Sequence, residues 1–106
     1  MDELVATEEN SRRLLFRIFA ALDSEDEAAA FFDELCSQQE VKKITQRVAV
    51  AELLMQKFTY DEIKHMLRRG DCTVSSATVN RVNDTVKNGP GNLWKMIQRV
   101  NGIEGC

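Results

Sequence analysis

Along most of the chain the apolar residues return every three or four positions, the period of helices that each bury one stripe. In residues 8–22 the stripe is Leu15, Ile18, Phe19 and Leu22. Ser24 and Glu27 then spell a capping box, in which the serine hydroxyl accepts from the third backbone N–H and the glutamate reaches back. The helix this box opens carries Ala28, Phe31, Phe32 and Leu35. Ser37 and Glu40 repeat the signal. Beyond them Val41, Ile44, Val48, Ala51 and Met55 follow at alternating three- and four-residue steps. Leu53 and Leu54 widen that stripe, so burial on more than one side is expected.

Thr59 and Glu62 form a third box, opening a short helix with Ile63, Met66 and Leu67 inside and Gly70 as its break. Next comes TVSSATVNRVNDTVKNGP, residues 73–90, a helix whose apolar positions, Val79, Val82 and Val86, are all valine. Asn88-Gly89-Pro90-Gly91 ends it: Asn or Gly takes the left-handed cap, and proline prevents continuation. A last helix, residues 92–100, presents Leu93, Met96, Ile97 and Val100. No strand-like alternation of useful length occurs. The pattern predicts an all-α fold of six helices joined by short turns.

A length of 106 residues suits one domain or one subunit of a small oligomer. So short a chain buries a modest core, which pairing with a second copy enlarges. No apolar run approaches the ~18 residues of a membrane helix, and the acidic start MDELVATEEN is unlike a signal peptide. Cys36, Cys72 and Cys106 lie far apart, and the one histidine is His65. Neither a zinc site nor a disulfide framework is expected, nor any cofactor. Free thiols suit a cytoplasmic protein. Cys72, beside Arg68 and Arg69, is in a setting that favours a reactive thiol.

Charge changes the picture. The net charge of −3 argues against nucleic acid at first sight. Residues 1–40, however, set three arginines against eleven carboxylates, a net of −8, whereas residues 41–106 set eleven Lys/Arg against six carboxylates, a net of +5. Such asymmetry hints at a basic working surface beside an acidic scaffold.

Within the basic part, residues 59–69 and 75–87 form a candidate helix-turn-helix. In that motif the first helix crosses the DNA backbone and the start of the second enters the major groove. Base edges are read by short donors and acceptors together with Arg or Asn, and phosphates by Lys, Arg, hydroxyls and free N–H groups at a helix start. The second helix offers Ser75, Ser76, Ala77, Thr78, Asn80, Arg81 and Asn83, with no carboxylate before Asp84. Lys64 and Lys87 are placed to hold the backbone on either side.

The run LCSQQEVKKITQRVAVAELLMQKFTYDEI, followed by SSATVNRVN, resembles the tryptophan repressor superfamily, and most of all its YerC/YecD branch. The resemblance covers about residues 35–100 and rests on Arg47-Val48, on Glu62 with Lys64, and on Ala77-Thr78-Val79 with Arg81. It implies an intertwined homodimer binding a palindromic DNA operator for repression. The single domain 1–106 would comprise a dimerisation scaffold (1–56), the helix-turn-helix (59–88) and a C-terminal helix (92–100). Carried over by position, the DNA-facing residues are Lys64, Ser75, Ser76, Ala77, Thr78, Asn80 and Arg81, and an effector pocket falls on Arg47, Arg81 and Thr85.

Two departures from the family stand out. A glycine follows the second pocket arginine in the tryptophan repressor and leaves room for the indole. Here Val82 stands there, so L-tryptophan is not expected as effector. The connection between the two head helices, residues 70–74, is longer than the usual turn of about 3–4 residues.

Plainer roles compete at single residues: a salt bridge for Arg47, an exposed bystander for His65, and core or dimer packing for Trp94 and for Phe31-Phe32. A helical protein–protein adaptor that kept the fold without DNA binding is the alternative function. An enzyme is set aside, because no nucleophile–base pair, glycine-rich phosphate loop or metal spacing is present.

Overall fold

A computed structural model describes residues 7–70 and 72–105; Asp71 of the predicted turn, most of the acidic start and Cys106 lie outside the described residues. Six helices follow in order: α1 Glu8–Ala21, α2 Glu25–Leu35, α3 Gln38–Met55, α4 Tyr60–Arg69, α5 Ser76–Asn88 and α6 Asn92–Gly105. The fold is all-α, as the periodicity predicts. No helix among the described residues is long and apolar enough to cross a membrane.

The predicted boxes are helix starts. The Glu40 N–H donates to Ser37 Oγ at 3.1 Å and the Ser37 N–H donates to Glu40 Oε1 at 2.7 Å. Thr59 and Glu62 exchange the same pair at 3.2 and 2.8 Å. At α2, Ser24 Oγ accepts from the Glu27 N–H, but the Glu27 carboxylate takes the N–H of Asp23, one residue before the cap. Each box satisfies N–H groups that a helix start otherwise leaves without partners.

The end of α5 departs from expectation. Gly89, its C-cap, is extended (φ −84°, ψ −178°), and the left-handed residue is Gly91 (φ 90°). Proline disfavours the α region for the residue before it, so Gly89 cannot turn left-handed ahead of Pro90 in the usual way. Glycine is still required there, because a Cβ would lie 2.5 Å from the Thr85 carbonyl oxygen. α6 runs past the predicted end at residue 100, through Gly102 to Gly105. Asn101 Nδ2 donates to Glu52 Oε2 of α3 at 2.8 Å, a tertiary tie that no local pattern announces.

Contacts divide the chain into two units, Met1–Val41 and Lys42–Cys106. In the first, Phe19 of α1 meets Phe31 edge-on and stacks against Phe32 of α2, with centroids 5.7 Å apart in both pairs. Neither α1 nor α2 has a fully buried residue, and Leu14, Phe16 and Leu35 are more than half exposed.

The second unit holds the core: Val50 and Ala51 of α3, Ile63 of α4, Val74 of the turn, and Val79 and Val82 of α5. Leu54, Phe58, Leu67, Leu93 and Ile97 pack around it. This corrects part of the predicted stripes. Ile44, Val48 and Met66 remain well exposed, while Val50, one position off the α3 stripe, is fully buried. α3 therefore has two apolar faces, one used by the head and one uncovered in the single chain.

α3 closes with the Phe58 N–H donating to the Leu53 carbonyl and the Lys57 N–H to the Leu54 carbonyl, at 3.2 and 2.9 Å. That pairing needs a left-handed residue at position 57, where glycine is favoured. Lys57 occupies it with φ 74°. Lys57→Gly is expected to stabilise the protein by about 0.5–1 kcal/mol, read as a higher urea midpoint at unchanged slope.

Candidate nucleic-acid interface

α4 and α5 are joined by a connection whose geometry is built from short bonds. The Gly70 and Cys72 N–H groups both donate to the Leu67 carbonyl, at 3.0 and 2.8 Å. Cys72 is a free thiol, half-buried where it packs against the core. Gln46 Nε2 of α3 donates to the Thr73 carbonyl at 3.3 Å, tying the turn to the long helix. Val74 then anchors the last part of the turn in the core.

α5 starts at the cap residue Ser75, whose Oγ accepts from the Thr78 N–H at 3.1 Å and lies 3.2 Å from Thr78 Oγ1. The two hydroxyls thus help to fix the helix start. Val79 and Val82 face inward. Ser76, Ala77, Asn80 and Arg81 are exposed on the other side, and no carboxylate sits in the first turn. The exposed N-terminal end of a helix carries partial positive charge and free N–H groups, which suit an anion.

Lys64 Nζ on α4 donates to Ser76 Oγ at 3.0 Å, bringing the predicted cation of the first helix to the start of the second. Arg68 and Arg69 add charge in the last turn of α4. Among the described residues the side chains of Asn80, Arg81, Arg68 and Arg69 make no hydrogen bond or ion pair, so the face carries uncommitted donors. Lys87 lies exposed in the last turn of α5. Asn83 is half-buried and lines a cleft with Lys57, Tyr60, Lys87 and Trp94.

Of the predicted effector trio, Arg47, Arg81 and Thr85 are all exposed. Thr85 Oγ1 donates to the Arg81 carbonyl at 3.1 Å. Thr85 also lines a small cavity of about 110 Å³ with Pro90, Leu93 and Trp94, which neither arginine reaches. Val82 is 5% exposed and belongs to the core.

Three residues are not legible in the sequence as part of this region. Gln46 carries no signal because its bond spans 27 positions. Arg68 and Arg69 stand out in the sequence only as neighbours of Cys72, although their place at the end of α4 puts them beside the turn.

A model of the Trp repressor protein family matches residues 10–101. The chain belongs to that family. A relative in Bacillus subtilis (strain 168), called Uncharacterized protein YerC, is 30% identical over 90 residues, 85% of this chain and 82% of that protein. A TrpR-like protein from Eubacterium eligens has a similar structure, with a TM-score of 0.77 and 27% identity over 95% of this chain and 96% of the other. A Staphylococcus aureus structure described as a candidate Trp repressor gives 0.78 and 27%, over 95% of each chain.

Ser75 is the cap on which the start of α5 rests. Ser75→Ala is expected to cost about 1 kcal/mol by removing the cap acceptor, measured by thermal or urea unfolding.

Proposed function

We propose that this protein is a sequence-specific DNA-binding transcriptional repressor that acts as a homodimer on a palindromic operator. The observation that carries the reading is the α4–α5 pair: a carboxylate-free helix start next to Lys64, with Asn80 and Arg81 exposed and uncommitted on its outer face. Arg81 has the paired donors, and Asn80 the donor beside an acceptor, that read base edges. Lys64, Ser76 and the α5 N–H groups suit phosphate, and Lys87 holds the backbone farther along.

The homodimer reading is supported by the uncovered apolar residues, among them Phe16 on α1, Val48 on α3 and Met96 on α6. Val48→Glu is expected to shift the protein from dimer to monomer in sedimentation equilibrium. An unchanged dimer would remove this face of α3 from the interface. Two heads would read half-sites roughly 34 Å apart, one helical turn.

A gel shift and footprint against fragments of the source genome test the function. A protected palindrome is the expected result, with affinity falling steeply as salt rises because phosphate contacts release counterions. An adaptor without DNA binding would retain neither random duplex nor any fragment. L-tryptophan is not the effector on this reading, since Val82 fills the space beside Arg81; calorimetric titration with L-tryptophan should give no binding heat.

A further inference from the structure

The cleft that Asn83 and Lys87 line opens where the end of α3, the start of α4, the second half of α5 and the start of α6 converge. Its volume is about 540 Å³, within the range of about 300–1,000 Å³ usual for small-molecule sites. Leu54, Phe58, Val86 and Trp94 supply apolar and aromatic wall. Lys57 and Lys87 line it from α3's end and from α5, and no carboxylate is part of the lining. Among the described residues neither ammonium group has an ion-pair or hydrogen-bond partner, and the side chains of Tyr60 and Asn83, also in the lining, are likewise uncommitted.

We propose that this cleft binds a small organic anion with a flat aromatic body. Charge complementarity selects the anion: two cations face a space with no negative group. The aromatic wall selects the body, because ring-on-ring contact with Trp94 and Phe58 adds to area burial. The Tyr60 hydroxyl and Asn83 amide fix the orientation of a polar head.

The backbone at Lys57 is a second, independent observation. Position 57 is left-handed, φ 74°, where glycine would be relaxed and a side chain is strained. Glycine would serve the helix end better but would bring no ammonium to the cleft. Strain held at a residue that lines a cavity fits a binding role.

Asn83, Val86 and Lys87 belong to α5, so occupancy bears on the helix assigned to DNA. That consequence rests on the proposed function; the binding itself does not.

Trp94 is the single tryptophan of the chain and forms part of the wall, so its fluorescence reports directly on the cleft. The titration uses the full chain without DNA, with phenyl phosphate as probe and with benzyl alcohol and inorganic phosphate as separate controls. Phenyl phosphate is expected to change Trp94 emission saturably in the millimolar range, with both controls at least several-fold weaker. Lys57→Gly should weaken it about threefold, and Lys57→Gln with Lys87→Gln together about tenfold, as two partly exposed ion pairs are lost. Lys57→Gly relaxes the backbone, so a loss of affinity in that variant cannot come from misfolding. No saturable change, equal affinity in the double variant, or equal affinity for either control would each overturn the proposal. Because no DNA is present, a failed titration leaves the operator reading intact, and a failed gel shift leaves the cleft intact.

Discussion

Arg81→Ala is expected to weaken binding to the operator about 10- to 100-fold, the effect of losing one paired contact to a base edge. Arg81 stands on the exposed face of α5, opposite the buried Val79 and Val82, so its removal leaves the core unchanged. Its guanidinium has no partner among the described residues, and the variant therefore strands no carboxylate. Binding to random duplex should fall much less, by the loss of a single positive charge. Lys64→Met should act in the opposite way. It removes a cation that touches Ser76 at the helix start, so affinity falls for all sequences and the salt slope shrinks by about 1. Competition gel shifts at several salt concentrations separate the two patterns. Operator affinity untouched by Arg81→Ala would show that the reading face lies elsewhere.

Ile63→Ala is expected to cost about 2–5 kcal/mol, a larger loss than the cap variant Ser75→Ala should show. Ile63 is fully buried and is the largest fully buried side chain of the core, whose other members are valines and one alanine. The cost within that range depends on how far the surrounding side chains relax into the gap. Against a total stability of about 5–15 kcal/mol for a domain of ordinary size, such a loss is a large fraction. Because the core includes residues of α4 and α5, the loss falls on the two helices proposed to meet DNA. Urea unfolding followed by circular dichroism measures the change, and a loss below about 1 kcal/mol would place Ile63 outside the stabilising core.

Arg81 and Ile63 belong to different layers of the molecule. The exposure of Arg81 was legible in the sequence because Val79 and Val82 mark the inward side of α5. Ile63 was legible because it follows a capping box by one residue and belongs to a short apolar stripe. Met66 shares that stripe and still lies exposed at 39%. A one-turn difference in where a neighbouring helix crosses is enough to cover one apolar residue and leave the next bare, and periodicity holds no information about the crossing.

The sequence by itself determined the number of helices through the apolar period and the starts of α2, α3 and α4 through their caps, because a bond between residues three apart needs nothing from the rest of the chain. It also determined the break at Gly70 and the polar face of α5. Only the tertiary structure decided which face of α3 is core. Val50 is buried against the head, while Ile44 and Val48, on the more regular stripe, are not. It likewise decided that Gln46 holds the turn, that Lys64 meets Ser76, and that α6 continues past Gly102 with Asn101 tied to Glu52. Each of these bonds joins residues at least twelve positions apart, and such contacts follow from how helices pack rather than from the order of residues within any one of them.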